Sequence, residues 1–268
     1  IAIIEVGMGG RLDSTNIINP ILSVITNISL DHTKFLGTNI TDIAQEKAGI
    51  IKENTPVVVG ETQNETKSIF IDTAKSKSSE IVFADQFNYE NFDCDLKGNY
   101  QKKNIKTVLK SVEFIQNTSF KISQEHIKNG LESIFKNTGL MGRWQIISNN
   151  PIIICDTAHN EAAIRMVVSQ LTRLDYLNLH FIIGFSNDKN LEKISKLFPK
   201  DSKYYFVQSK VGRARNAREV RDIFKLNNRH GDIFESIKTT IEYVKGLSNK
   251  NDVIFIGGST FVVSEIFD

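Results

Sequence analysis

The sequence predicts an α/β protein built on parallel sheets, with a complete doubly wound domain in its second part. Three observations carry that expectation. Short apolar runs alternate with amphipathic stretches along nearly all of the 268 residues. The runs are apolar at consecutive positions, the pattern of strands covered on both faces. The stretches between many of them have helical periodicity and suit parallel crossovers.

Taken in order, the strand-like runs are "IAIIEV", "ILSVITNI", "PVVVG" and "EIVFA", then "PIIICD", "HFIIGF", "KYYFVQ", "GDIFES" and "DVIFIGG". Between them, "TDIAQEKAGII", "NYQKKNIKTVLKSVEFI", "NEAAIRMVVSQLTRL" and "SIKTTIEYVKGL" read as amphipathic helices. The stretch "KNTGLMGRW" breaks the alternation and sets an expected boundary near Met141, giving domains 1–140 and 141–268. Five strand–helix alternations follow it. The part before it has few leading strands, and the chain opens inside an apolar run with no initiator Met, so a preceding segment is expected to be missing.

Composition narrows the class. There are 33 basic and 31 acidic residues, a formal charge of +2, which gives no general electrostatic case for nucleic acid or a membrane surface. Cys94 and Cys155 are too few for a disulfide framework, and reduced thiols in a cytoplasmic protein are expected. No apolar run approaches the roughly 18 residues of a membrane helix, and no signal peptide is evident.

Several residues could carry chemistry. Glu5 is placed where the first strand is expected to end, and a carboxylate at that edge of a parallel sheet can hold a divalent cation or simply reach solvent. Gly7 and Gly9 begin a G-x-G pattern, but Leu12 stands where a dinucleotide fold needs its third glycine. Asp31 and His32 follow the second run, beside Glu5 if the strands are neighbours; a structural histidine competes with a ligand, and magnesium prefers oxygen. Lys47 lies on a helix among Ala44, Ala48, Ile50 and Ile51. It is either a surface lysine paired with Glu46 or a partly desolvated amine with a lowered pKa. In "PIIICDTAHNEAA" a buried run ends in Asp156, a short loop carries His159, and Asn160 can cap the next helix. Arg143 follows the central break, "VGRARN" reads as a solvated loop, and Gly257, Gly258 and Ser259 form a strand-end turn suited to an anion.

Together, "EVGMGGRLDSTN", "SLDHTKFLG", "IAQEKAGIIK", "GNYQKKN", "MGRWQ", "CDTAHN" and "GGSTFVVSE" resemble the folylpolyglutamate synthase/dihydrofolate synthase family of the Mur-ligase superfamily, in its order and approximate spacing. The resemblance implies the remainder of a P-loop-type ATPase domain followed by a Rossmann-like domain. It implies a cytoplasmic, ATP- and Mg2+-dependent ligase that phosphorylates a carboxyl group of dihydropteroate or folate and joins it to L-glutamate through an acyl phosphate. By the same resemblance Glu5 and His32 look like magnesium ligands, and Lys47 like a lysine that is carbamylated. Asn104, Arg143 and Asp156 look like nucleotide contacts, and His159 and Ser259 lie near the glutamate and acyl-phosphate side.

One departure stands out: no G-x-x-G-K-[ST] run occurs in the 268 residues. Without that phosphate cradle the chain by itself is expected to bind ATP weakly and to be inactive. Two rival readings are a ligase of cell-wall precursors and a non-catalytic nucleotide- or metabolite-binding protein. A dinucleotide oxidoreductase is a third, disfavoured by the glycine spacing.

Overall fold

The computed structural model describes residues 1–31 and 33–268. The chain forms two compact units, one of Ile1–Asp93 with Tyr100–Glu132 and one of Cys94–Asn99 with Ser133–Asp268. The second unit thus begins at Ser133 and borrows the earlier segment 94–99, where the sequence suggested a single boundary near residue 140.

The first unit has a parallel three-stranded sheet, β1 (Ser23–Ile25), β2 (Val57–Val59) and β3 (Ile81–Phe83), in that spatial order. Its helices are α1 (Thr33–Leu36), α2 (Ile40–Ala48), α3 (Asn64–Ser76), α4 (Gln101–Gln116) and α5 (Gln124–Glu132). Three consecutive valines make β2, and all three are buried, as a central strand covered on both faces requires. Ile43, Ala44 and Ala48 of α2 and Phe70 and Ala74 of α3 close one core with Ile25, Val57, Val59 and Phe83.

One expected strand is absent. Residues 1–6 pair with no described strand, and Ile1, Ile3 and Ile4 are exposed. An apolar run becomes a strand only when a neighbour satisfies its backbone, and here no described strand does. Glu5 therefore stands at no strand end, contrary to the expectation.

The second unit follows the alternation closely. Its elements are α6 (Ile134–Thr138), β4 (Gln145–Asn149), β5 (Ile152–Asp156), α7 (Glu161–Leu171), β6 (Leu179–Ile183), α8 (Leu191–Ser195), β7 (Lys203–Val207), α9 (Ala217–Leu226), β8 (Gly231–Phe234), α10 (Ile237–Leu247), β9 (Val253–Gly257) and α11 (Thr260–Phe267). The sheet order is β4-β5-β9-β6-β7-β8, parallel except for β4, an antiparallel edge strand that the sequence pattern did not announce.

On one face Ile153, Cys155, Ile182, Ile254 and Ile256 pack under Ile237, Ile241 and Val244 of α10 and Val262 and Val263 of α11. Burial there pushes the Cys155 thiol up to about 12, so it stays protonated. The other face is aromatic: Phe181 lies 5.3 Å from Tyr204 and 5.8 Å from Phe255, centroid to centroid, and Phe224 of α9 joins them. Because β9 inserts between β5 and β6, Gly257 is in register with Asp156 on one side and Ile183 on the other. That brings three strand ends together at the carboxyl edge, where open α/β sheets bind ligands. No helix among the described residues is long and apolar enough to cross a membrane.

Candidate active site

Of the candidate residues of the first unit, Lys47 lies in the last turn of α2. The glycine loop is docked on that turn. At Gly10 an added Cβ would stand 2.7 Å from the Glu46 carbonyl oxygen, so only glycine lets the loop approach so closely. Arg11 then donates its backbone N–H to the same oxygen at 2.8 Å, and its guanidinium reaches the Glu46 carboxylate at 2.8 Å. Asp13 holds the far side, accepting from the Thr15 hydroxyl at 2.6 Å, Met8 N–H at 2.9 Å and Thr15 N–H at 3.0 Å. Those bonds, the Thr15 hydroxyl first, hold its carboxyl down to about 2. Asn16 donates from its side-chain amide to the Gly49 carbonyl at 3.0 Å and fastens the loop to the helix end.

Lys47 sits on that helix and is half-buried. Its neighbour Glu46 is engaged by Arg11, so the Glu46-paired surface lysine is not what forms. Burial lowers the Lys47 pKa, and the charge of Asp31 opposes the shift without cancelling it. The desolvated amine is the alternative that the structure favours. His32 lies outside the described residues. Glu5 is exposed, and no group of three or more His, Cys, Asp or Glu side chains able to hold a metal ion occurs among the described residues. Glu5 offers the oxygen chemistry of a magnesium ligand, and magnesium is often held by one or two carboxylates with substrate phosphates, but these residues make no protein cage. Asn104 is exposed in the first turn of α4, its amide donating to Gln101 at 2.8 Å.

In the second unit the residues converge at the ends of β5 and β9. Asp156 is 2 % exposed, and its carboxylate accepts from Trp144 N–H and Ala158 N–H, both at 2.8 Å. It thereby brackets the turn that carries Arg143 and the turn that carries His159. Arg143 is half-buried and donates to the Thr157 hydroxyl. His159 is half-buried, with Nδ1 at 2.9 Å from the Thr157 carbonyl oxygen. Asn160 caps α7 through Ala163 N–H at 2.9 Å, as the sequence indicated. Ser259 is buried and caps α11, accepting from Phe261 N–H at 3.2 Å. Gly258 before it has φ +88°, and an added Cβ there would stand 2.8 Å from the Gly184 carbonyl oxygen.

The "VGRARN" loop is less free than its composition suggests. Arg215 donates its N–H to the Phe185 carbonyl at 2.7 Å and its guanidinium to the Asn187 carbonyl at 2.6 Å, joining the loops after β6 and β7. The signal in the sequence was position alone: the loop follows a strand end on the same edge. The sequence pattern does not mark Trp144 either. It is buried, takes φ +46°, and borders a cavity of about 510 Å3 with Asp95, Phe135 and Met141.

Comparison with known proteins decides the family. The Mur ligase middle domain matches residues 1–149, and the Mur ligase, glutamate ligase domain matches residues 142–260. The chain belongs to the Mur ligase family. A curated member, the dihydrofolate synthase/folylpolyglutamate synthase of Buchnera aphidicola subsp. Baizongia pistaciae (strain Bp), is 30% identical over 277 residues, covering 99% of this chain and 64% of that protein. A solved structure, E. coli FolC in complex with DHPP and ADP, superposes with TM-score 0.83 at 25% identity, covering 98% of this chain and 64% of that one. A bifunctional folylpolyglutamate synthase/dihydrofolate synthase with Mn, AMPPNP and L-glutamate bound gives TM-score 0.82 at 25% identity, with coverage of 98% and 64%. This Mur ligase chain thus spans about 64% of the length of the relatives it matches.

Proposed function

We propose that these residues belong to an ATP-dependent acid–amino-acid ligase that joins L-glutamate to dihydropteroate or a folate. The observation that carries the reading is the first-unit cluster: a glycine loop clamped on α2 at Glu46 and Lys47, with Lys47 itself half-buried. It occurs in a chain whose similar proteins are dihydrofolate synthase/folylpolyglutamate synthases. The ADP, AMPPNP and L-glutamate of the similar solved structures support ATP and glutamate as ligands here.

In this reading the acceptor carboxylate takes the γ-phosphoryl group of ATP and ADP leaves. The glutamate amine then attacks the acyl carbon, phosphate departs, and the amine loses a proton as the amide forms. A magnesium ion, with Glu5 and His32 as its protein ligands, would neutralise phosphate charge. Burial keeps a larger neutral fraction of Lys47, the form that adds CO2 to give a carbamate and a released proton. Asn104, Arg143 and Asp156 serve the nucleotide, Asp156 by bracketing the Arg143 turn. His159 and Ser259 lie on the glutamate side.

The test is ADP release by the protein encoded by the reading frame that carries these residues, run beside the 268-residue chain. Release that needs both L-glutamate and dihydropteroate or folate is expected, with none from the chain alone. Amide formation only with a cell-wall precursor would move the assignment to another Mur ligase, and nucleotide binding with no amide product would make the protein a binding module.

A further inference from the structure

One residue of the second unit touches two of the polar side chains that the proposed chemistry uses there, Arg143 and His159. Thr157 follows β5 and is 8 % exposed. Its hydroxyl accepts a hydrogen bond from Nη1 of Arg143. Its N–H donates to the Gly142 carbonyl at 2.9 Å, and its own carbonyl oxygen lies 2.9 Å from Nδ1 of His159. A carbonyl only accepts, so Nδ1 carries a proton, and the lone pair of the neutral ring belongs to Nε2. The threonine methyl has its own neighbour: at Gly142, φ +73°, an added Cβ would stand 2.8 Å from Cγ2 of Thr157.

We propose that Thr157 is the positioning residue of this site. Its hydroxyl holds the Arg143 guanidinium in one orientation for an anionic ligand, and its carbonyl fixes the His159 tautomer. A free arginine side chain has many rotamers to lose when it binds, and a buried hydroxyl that selects one beforehand removes much of that loss. Threonine suits the task because β-branching restricts χ1 and so aims the hydroxyl. The inference rests on the reading in which Arg143 meets the nucleotide and His159 lies near the acyl phosphate.

Thr157→Val keeps the shape and removes the hydroxyl, whereas Thr157→Ser keeps the hydroxyl and removes the methyl. Nitrogen-15 NMR of the arginine-labelled 268-residue chain reports the guanidinium directly, and nucleotide affinity is read by titrating ADP into the protein encoded by the reading frame that carries these residues. In Thr157→Val only the 3.3 Å bond from Nη1 to the Gly142 carbonyl remains, so the Arg143 Nη protons are expected to exchange faster and ADP affinity to fall about tenfold. The His159 Nδ1–H signature should persist there, because its partner is backbone. Thr157→Ser should restore the guanidinium signal. An unchanged Arg143 signal in Thr157→Val overturns the proposal. So does a Thr157→Ser variant as defective as Thr157→Val, which would make the methyl packing decisive. Arg143→Ala separates the two layers: if it binds ADP normally while Thr157→Val still frees the guanidinium, the nucleotide role of Arg143 fails and the positioning role stands.

Discussion

The glycine loop of the first unit and the glycine turn of the second solve one problem by different means. At residues 7–10 the chain is laid against a helix end and is held by a few local contacts: Asp13 from within, Arg11 and Asn16 across to α2, and the backbone bond from Arg11 N–H to the Glu46 carbonyl. At 257–258 the chain is the buried end of the middle of a sheet, fixed by registry with β5 and β6. The first arrangement can loosen without unfolding its unit, because Met8 and Leu12 are exposed and the core lies elsewhere. The second cannot. Site geometry near Ser259 is therefore a property of the sheet, whereas site geometry near Lys47 depends on a few surface contacts.

The sharpest way to break this contrast is to add one methyl group to each turn. In Gly257→Ala the new Cβ would stand 2.6 Å from the Asp156 carbonyl oxygen and 2.6 Å from the Phe255 ring, so two central strands must part. Overpacking of this kind is expected to destabilise by about 3 kcal/mol. Denaturant unfolding followed by Trp144, which reports the second unit, measures it. Gly10→Ala meets the Glu46 carbonyl oxygen at 2.7 Å, but the loop can lift away. It should leave the Trp144 transition unchanged and raise hydrogen exchange in residues 8–16. Equal losses in the two variants would mean that both turns are parts of one cooperative structure.

The two units also differ in how far their sequences announced them. In the second, each predicted strand formed, because every run could pair within the chain and the helices between were amphipathic. The antiparallel edge strand β4 escaped notice because Gln145–Asn149 is half-polar, without the consecutive apolar run of β5. In the first, "IAIIEV" carried as strong a strand signal as any, and no strand formed. Local pattern gives the propensity of a segment and is silent on the neighbour that must satisfy its backbone. The site residues behaved similarly. Asp156, His159, Asn160 and Ser259 come together because strand ends converge. Of the two readings open for Lys47, pairing with Glu46 is not what forms, because Arg11, distant in sequence, takes Glu46.

A smaller effect distinguishes the units by pH. At the opposite edge of the second sheet His180 is buried, with Nδ1 at 3.1 Å from the Tyr205 hydroxyl and Nε2 at 3.4 Å from Asp252. Burial lowers the His180 pKa more than Asp252 restores it, and Lys203 adds to the lowering. For Asp252, burial pulls upward, but bonds from Asn249, Asn178 and His180 outweigh it and leave the carboxyl low. With both folded values below the unfolded ones, the unfolded chain binds protons first, so acid destabilises the fold. The His180 contribution falls away as pH drops through about 6.5, and that of Asp252 follows below about 4. Trp144-monitored unfolding should show this decline, and His180→Gln should flatten its upper part. A pH-independent midpoint between 5 and 7 would contradict the assignment.

The smallest expected effect tests the side-chain clamp of the first unit. Arg11 is 57% exposed in its side chain and Glu46 24%, and exposed ion pairs contribute about 0–1 kcal/mol. Glu46→Gln should therefore change global stability by about 0.5 kcal/mol or less, since the backbone bond from Arg11 N–H to the residue-46 carbonyl remains. Its local consequence is larger than its energy, because Glu46 is next to Lys47. With Glu46 neutral, Arg11 is no longer pinned and can bring its positive charge toward the amine, or swing away and leave it wetter. The first lowers the Lys47 pKa further, the second raises it toward its ordinary value. Loop loosening predicts the second outcome, because water entering beside α2 removes the desolvation that dominates the present shift. Titration of the Lys47 side-chain amine by carbon-13 NMR in the two proteins decides it. An unchanged Lys47 titration, with unchanged exchange in residues 8–16, would show that the backbone contacts at Gly10 and Arg11 hold the loop without the ion pair.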